Sequence, residues 1–270
     1  MPRVGMNPLA DTRLPPSPRI IAAVITHLPN RRGYHAQRFE VIQECLTSLR
    51  ETADIPLYVW DNGSDNWLKE WLLKVAKPDY LTLSPNIGKA SARTAILRTF
   101  RSETIICMSD DDIRYYPGWL DAHLELLDGF PNVGVVSGCP VRTQFRWGTA
   151  ATMRWARENA TLRTGRFISE QWDYDFCQSI GRDYLTHLGE TAEEVDYVIE
   201  YNGYEAYATA HHMQFVGYAG RLSGIGLWTD RAMRAEQTFD VAVDELGMLR
   251  LTTLQRYTRH LGNILEKEVA

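Results

Sequence analysis

Short apolar runs alternate with amphipathic stretches over the first half of the chain, and this alternation limits the possible folds more than any other feature. The apolar runs cover residues 20–25, 57–60, 80–83, 104–108 and 133–137, and helical patterns cover 37–52, 64–72, 88–101 and 117–128. Strands that alternate with helices are typical of a mainly parallel sheet with helices on both faces. A chain of 270 residues is long enough for one such domain with an added lobe. We therefore predict an α/β fold.

Polar side chains follow three of the predicted strands. Thr26 follows the first strand, Asp61 and Asn62 follow the second, and the aspartates 110–112 follow the fourth. Open parallel sheets bind their ligands at the carboxyl ends of the strands. We therefore expect these side chains to share one binding site.

The aspartates 110–112 are the most informative of these groups. Adjacent like charges raise the free energy of a fold unless a cation neutralises them. Asp110 and Asp112 can point to the same side of a strand end, where they would share Mn²⁺ or Mg²⁺ with the diphosphate of a nucleotide. An acidic turn before the helix that opens at Pro117 explains the same residues when they are taken alone. Their place at a strand end favours the metal.

Composition narrows the function classes. The formal net charge is -5, and a mildly acidic chain is a poor general binder of nucleic acid. No apolar run reaches the roughly 18 residues of a membrane span, and the first residues lack the apolar core of a signal peptide. Because the four cysteines are widely spaced, we expect buried free thiols and a reducing, cytoplasmic compartment.

Four segments of the first 140 residues resemble, in order, the family 2 glycosyltransferases, which have the GT-A fold. They are Ile25-Thr26 with Asn30-Arg31, the VWDNGSD segment at 59–65, the NIGKASAR segment at 86–93 and the MSDDD strand end at 108–112. The resemblance implies a sugar transferase with a nucleoside-diphosphate sugar as donor, usually UDP-linked. It also implies a sugar, lipid-linked or small-molecule acceptor. Mn²⁺ or Mg²⁺ would be the cofactor.

The resemblance also implies roles for individual residues. Thr26 and Asp61, with Asn62, would hold the nucleobase; Gly88, Lys89 and Arg93 would lie beside the ribose and diphosphate; Asp110 and Asp112 would bind the metal, with Asp111 near the ribose or sugar. Elementary physics agrees, because a glycine allows backbone to approach a phosphate and a helix N-terminus favours anions. The segment 27–29 departs from the family, which usually carries a tyrosine-bearing turn there.

An inverting transferase needs a base for the acceptor hydroxyl, and the sequence leaves its identity open. By chain order, the resemblance favours Asp244 or Glu245, and Asp173 is the rival. A late histidine often closes the metal site of related enzymes. His260 is the preferred candidate for that ligand, with His211 and His212 as alternatives.

The predicted organisation has three parts: an extended arm over residues 1–18, a nucleotide-sugar-binding half over 19–140, and an acceptor-binding and closing half over 141–270. Four other functions stay open. They are a retaining GT-A transferase, a sugar nucleotidyltransferase, a phosphatase of the DxDx(T/V) type and a non-catalytic carbohydrate-binding relative. The sequence also leaves the oligomeric state open.

Overall fold

The computed structural model describes residues 17–225 and 235–265. Its strands are β1 (Ile20–Thr26), β2 (Leu57–Asn62), β3 (Tyr80–Ser84), β4 (Ile105–Asp110), β5 (Ile113–Tyr115), β6 (Val133–Ser137), β7 (Thr161–Gly165), β8 (Asp196–Tyr201), β9 (Tyr204–Tyr207), β10 (Gln214–Tyr218), β11 (Leu249–Thr252) and β12 (Thr258–His260). The predicted arm over residues 1–18 falls almost entirely outside the described residues.

The helices of the first half follow the predicted pattern. The helices are α1 (Arg38–Thr52), α2 (Asn66–Trp71), α3 (Lys89–Thr99), α4 (Trp119–Gly129), α5 (Ala150–Asn159), α6 (Glu170–Ser179), α7 (Tyr184–Glu190), α8 (Ala219–Leu222) and α9 (Ala235–Glu245). Single turns of other helix types occur at Gly33–His35, Leu72–Ala76 and Arg142–Arg146. Within the described ranges, no helix combines the length and the apolar character that crossing a membrane requires.

In the described part of the chain, ten strands form the main sheet, in the order β3-β2-β1-β4-β10-β6-β11-β9-β8-β7. Strands β1 to β4 are parallel to one another, and β6 is parallel to β11. Strand β10 runs antiparallel between β4 and β6, and β7, β8 and β9 extend the sheet as antiparallel neighbours. Strands β5 and β12 pair separately. The predicted α/β architecture is confirmed.

Both faces of the sheet are covered. On β1, Ala22 and Val24 belong to a buried cluster that includes residues of α1 and α4. Ile21 and Ala23 point the opposite way, into a cluster that includes residues of α3 and α9. This alternation follows from the two-residue period of a strand, and it explains why the run at 20–25 is continuously apolar. Helices on both faces are therefore confirmed.

Two local details go beyond the predicted pattern. The stretch at 171–187 contains two helices, because Gly181 takes a φ of +67° and Asp183 starts α7 by accepting a hydrogen bond from Thr186 N at 2.8 Å. Asp65, rather than Ser64, caps α2. The Ser64 hydroxyl instead accepts a hydrogen bond from Leu28 N at 2.8 Å and so joins the ends of β1 and β2.

All four cysteines are buried and unpaired, as predicted. Burial raises the pKa of the Cys45, Cys107 and Cys177 thiols, and it raises that of Cys139 to about 11. A thiol with a raised pKa is a poor nucleophile near neutral pH. These side chains are therefore part of the core.

A buried arginine holds the second half together. The Arg142 guanidinium donates to Asp196 Oδ1 at 3.0 Å and to Asp173 Oδ2 at 2.5 Å, and it also donates to the Ile168 carbonyl at 2.9 Å. Asp196 accepts a further hydrogen bond from Phe167 N at 2.6 Å. Arg142 thereby connects α6, β8 and the segment before α6.

We expect Arg142→Met to reduce the free energy of unfolding by roughly 3–5 kcal/mol, because it leaves two buried carboxylates without their guanidinium. Urea unfolding followed by circular dichroism measures the loss. Lys74→Met is the control, since Lys74 pairs with Glu70 on an exposed helix face, where such a pair contributes about 0.5 kcal/mol at most. Equal losses in the two variants would contradict the assignment.

Candidate functional site

Asp110 ends β4 at the carboxyl edge of the parallel strands. Its carboxylate contacts Lys89 Nζ at 2.6 Å and Arg93 Nη2 at 2.8 Å, and its backbone N–H donates to the Met213 carbonyl at 2.9 Å. Arg93 is almost fully buried, whereas 35% of the Lys89 side chain is exposed. Lys89 is therefore the cation of this pair that a ligand in solvent can reach.

Arg38, on α1, neutralises the next two aspartates. Its guanidinium pairs with Asp111 and contacts Asp112 Oδ2 at 2.9 Å, and it donates to Asn263 Oδ1 at 3.2 Å. Burial alone would lower the pKa of Arg38, but the carboxylates of Asp111 and Asp112 outweigh burial and hold its pKa above the usual value. Arg38 is therefore a permanent charge within the site.

His260 approaches the third aspartate because β12 pairs with β5, which follows the aspartates directly. His260 Nε2 lies 3.5 Å from Asp112 Oδ2, and His260 Nδ1 is 2.7 Å from the Ser179 hydroxyl. Burial opposes ionisation of Asp112, but the pKa of Asp112 still lies below its usual value because His260, Arg38 and Lys89 favour the carboxylate. Asp112 therefore stays charged.

The residues fit a divalent cation as a partial ligand set. Asp112 Oδ1 is buried without a hydrogen-bond partner, and His260 lies beside the other oxygen of the same carboxylate. Asp110 is already paired with two cations. Across the described ranges, no three acidic, histidine or cysteine side chains converge as a complete metal site. A metal here would need further oxygen ligands from a bound molecule.

Asp61 and Thr26 face each other across β1 and β2. The buried Asp61 carboxylate accepts hydrogen bonds from Ser64 N at 3.1 Å and from the Thr26 hydroxyl at 3.4 Å. Asn62 follows and accepts a hydrogen bond from Ile87 N at 2.9 Å. This contact joins the end of β2 to the turn before α3.

That turn presents the start of α3 to the site. Gly88 has a φ of +83°, which only glycine adopts readily, and it precedes the first helical residue, Lys89. No side chain caps this end of the helix. Helix N-terminal N–H groups without a cap attract anions, and Lys89 adds a full positive charge.

His27 occupies the segment that departs from the expected tyrosine-bearing turn. Its backbone N–H donates to Asp111 Oδ2 at 3.2 Å, and its Nδ1 lies 2.9 Å from the Asn62 carbonyl oxygen. His27 thus joins the ends of β1, β2 and β4. No sequence pattern predicts this bridging position.

The three carboxylates predicted as bases are not part of the aspartate cluster. Asp173 is fully buried against Arg142. Asp244 accepts a hydrogen bond from Ala151 N at 2.7 Å at the start of α5. Glu245 ends α9 shortly before β11 begins, so both it and Asp244 lie at the amino edge of the parallel strands, opposite the aspartate cluster. The structure brings the predicted donor and metal residues together without these carboxylates.

The sequence alone did not predict that Arg38 pairs with the aspartates or that Asp240 contacts a histidine. Asp240 lies on α9 and accepts a hydrogen bond from His212 Nδ1 at 2.7 Å. Arg38 is one polar residue at the start of an amphipathic helix, and its partners lie more than 70 positions away in the chain. A local pattern carries no signal for such a contact.

Structural comparisons support the architecture. A GalNAc-T7 crystal structure with UDP, GalNAc and Mn²⁺ matches with a TM-score of 0.50 and 9% identity, over 90% of this chain and 44% of that one. TarS 1-349 from S. aureus matches with a TM-score of 0.51 and 11% identity, over 90% of this chain and 60% of that one. The present chain thus spans about half the length of these structures. At such low identity the likeness shows a shared GT-A fold.

Sequence comparison gives the family. No curated protein sequence matches the chain. The profile of glycosyl transferase family 2, however, matches residues 34–188, which is more than half of the chain and includes all of the aspartate cluster. The chain belongs to glycosyl transferase family 2.

Proposed function

We propose that the protein transfers a sugar from a nucleoside-diphosphate sugar to an acceptor hydroxyl, with inversion at the anomeric carbon. The observation that carries this proposal is the convergence of Lys89 and the uncapped start of α3 on the aspartate cluster at the carboxyl edge of the sheet. That combination offers an anion site beside carboxylates, as a nucleotide diphosphate with its cation requires. Family membership favours glycosyl transfer over nucleotidyl transfer or phosphate hydrolysis.

The donor would lie along the ends of β1, β2 and β4. Thr26, Asp61 and Asn62 would hold the nucleobase, since their polar groups line the ends of β1 and β2. Lys89 and the N–H groups at the start of α3 would hold the diphosphate, and the buried Arg93 would hold Asp110 in place behind them. UDP is the first nucleotide to test. Residues 19–140 would then form the donor half, and residues 141–270 would complete the acceptor side.

Mn²⁺ or Mg²⁺ is the proposed cofactor. Asp112 and His260 would hold the ion, with Asp110 beside it and the donor supplying the remaining oxygens. When bound, the ion would neutralise charge on the departing diphosphate. The GalNAc-T7 structure with UDP and Mn²⁺ shares the fold and supports testing this combination.

The protein's own cations would assist the same step. Lys89 is accessible and lies at the helix start, so it would approach the diphosphate oxygens as negative charge builds up on them. Arg38 would keep Asp111 and Asp112 in place without contacting the donor, because its guanidinium is already occupied by these carboxylates. Binding and positioning are thus divided between two helices.

We expect UDP to bind more tightly in the presence of Mn²⁺, and we expect Asp112→Ala to abolish this difference. Isothermal titration with and without Mn²⁺ measures it, and a gain of at least about tenfold corresponds to about 1.4 kcal/mol. Asp128→Ala, which removes an exposed carboxylate of α4, is the control and should retain the metal dependence. The proposal fails if no nucleoside diphosphate binds in Mn²⁺, or if Asp112→Ala keeps the difference.

Arg38→Met should lower the melting temperature, because a buried pair that loses one partner costs roughly 3–5 kcal/mol. Mn²⁺ should then raise the melting temperature more in this variant than in the wild type, since two carboxylates become available to it. Differential scanning calorimetry measures both effects.

Arg142→Met is the matched control for this experiment, because Arg142 is also buried between two aspartates, and these are Asp173 and Asp196 rather than members of the aspartate cluster. A gain from Mn²⁺ of similar size in both variants would show that any unpaired buried carboxylates suffice, and it would contradict a specific cation site at Asp112.

A further inference from the structure

His212 and Asp240 form a hydrogen-bonded pair that the donor residues do not use. His212 Nδ1 lies 2.7 Å from Asp240 Oδ2. Asp240 is 1% exposed, and its other oxygen lies 2.6 Å from Arg250 Nη2. Because a carboxylate held by a guanidinium only accepts hydrogen bonds, the proton of the neutral imidazole is on Nδ1 and the lone pair is on Nε2.

Arg250 fixes Asp240 in this orientation. The guanidinium donates to the carbonyls of Trp147 and Gly148, both at 2.7 Å, and to that of Ala210 at 2.5 Å. Arg250 is itself fully buried on β11. The carboxylate behind His212 is therefore held by an arginine with several backbone partners, which is a rigid support for an imidazole.

His212 lies at the same edge of the sheet as the aspartates. It precedes β10, and the carbonyl of its neighbour Met213 accepts the hydrogen bond from Asp110 N at 2.9 Å. The centroids of the His211 and His212 rings are 4.5 Å apart. Burial lowers the pKa of His211, and the cationic side chains of Arg250 and Lys89 lower it further.

The His212 ring can be reached from solvent. Its side chain is 16% exposed, and none of the described residues hydrogen-bonds to Nε2. Asp244 and Glu245 lie at the opposite edge of the sheet, and Asp173 is fully buried against Arg142. His212 is thus a supported proton acceptor with an open nitrogen, beside the proposed donor site.

We propose that His212, positioned by Asp240, is the base of the transfer reaction; this inference rests on the proposed function. The acceptor oxygen forms a bond to the anomeric carbon while the bond from that carbon to the phosphate oxygen breaks. The electron pair of the broken bond leaves with the nucleoside diphosphate. The hydroxyl proton moves to His212 Nε2, and Asp240 stabilises the imidazolium that forms.

The primary test is UDP release by purified full-length protein from UDP-glucose, UDP-galactose, UDP-N-acetylglucosamine and UDP-N-acetylgalactosamine, with Mn²⁺ and with water or an added sugar as acceptor. His212→Gln should reduce the turnover number about 10²- to 10⁴-fold, which is the usual contribution of general base catalysis. The affinity for UDP should change less than about twofold. His212→Ala should regain part of the lost rate when imidazole is added.

Asp240 is a positioning residue, so its test needs the double variant. If Asp240 acts through His212, Asp240→Asn should slow the wild type but should not further slow His212→Gln. Because Asp240→Asn also leaves Arg250 without its carboxylate, its fold is checked by circular dichroism. The His212 variants keep the Asp240–Arg250 pair and carry the test if Asp240→Asn does not fold.

His187→Gln is the matched control. His187 also lies near a carboxylate, with Nε2 3.8 Å from Asp173 Oδ2, but its ring is buried and cannot meet a substrate. It should release UDP at the wild-type rate. Full activity in His212→Gln would overturn the inference while leaving the proposed function intact, and so would loss of UDP affinity in that variant. No UDP release by the wild type from any of the four sugars would count against both.

Discussion

The candidate site depends on the neutralisation of three consecutive carboxylates by cationic side chains. Asp110 is paired with Lys89 and Arg93 from α3, and Asp111 and Asp112 are paired with Arg38 from α1. A buried charge without a partner costs several kcal/mol, so the strand end is stable only while both helices are in place. Since α1 and α3 cover opposite faces of the sheet, the cluster connects the two layers of the domain at its binding edge.

The same pairing makes the cluster nearly neutral before any ligand arrives. A nucleotide that binds with a divalent ion would bring both negative and positive charge. Its phosphates can replace a carboxylate as the partner of a cationic side chain, and the ion can replace a cationic side chain as the partner of a carboxylate. Lys89 is the most exposed of the three cations, and Asp112 keeps one buried oxygen without a partner. Exchange of ion pairs therefore needs little rearrangement of the backbone, which suits the proposed binding of a charged donor and release of a charged product.

Local patterns were sufficient to predict which polar side chains meet at the carboxyl edge of the sheet, but not which residues support them. Continuous apolar runs located the strands, and polar residues at their ends located Thr26, Asp61 and Asp110. The roles of Arg38 and Asp240 were not predicted, because the side chains that they contact are distant in the sequence. The expected bases at Asp244 and Glu245 illustrate another limit. A helix that leads into a parallel strand returns the chain to the amino edge, so residues at its C-terminal end lie away from the ligand edge.

Strand β10 is antiparallel to its neighbours β4 and β6, and this direction has a consequence for how the protein can evolve. The parallel strands end at the carboxyl edge of the sheet, whereas β10 begins there. The loop at 208–213, which precedes β10 and belongs to the second half of the chain, therefore lies at this edge. Donor and acceptor would thus be bound by segments from separate parts of the polypeptide. Substitutions in that loop could alter which acceptor is used while the nucleotide contacts stay the same, and one scaffold could thereby give rise to enzymes with different products.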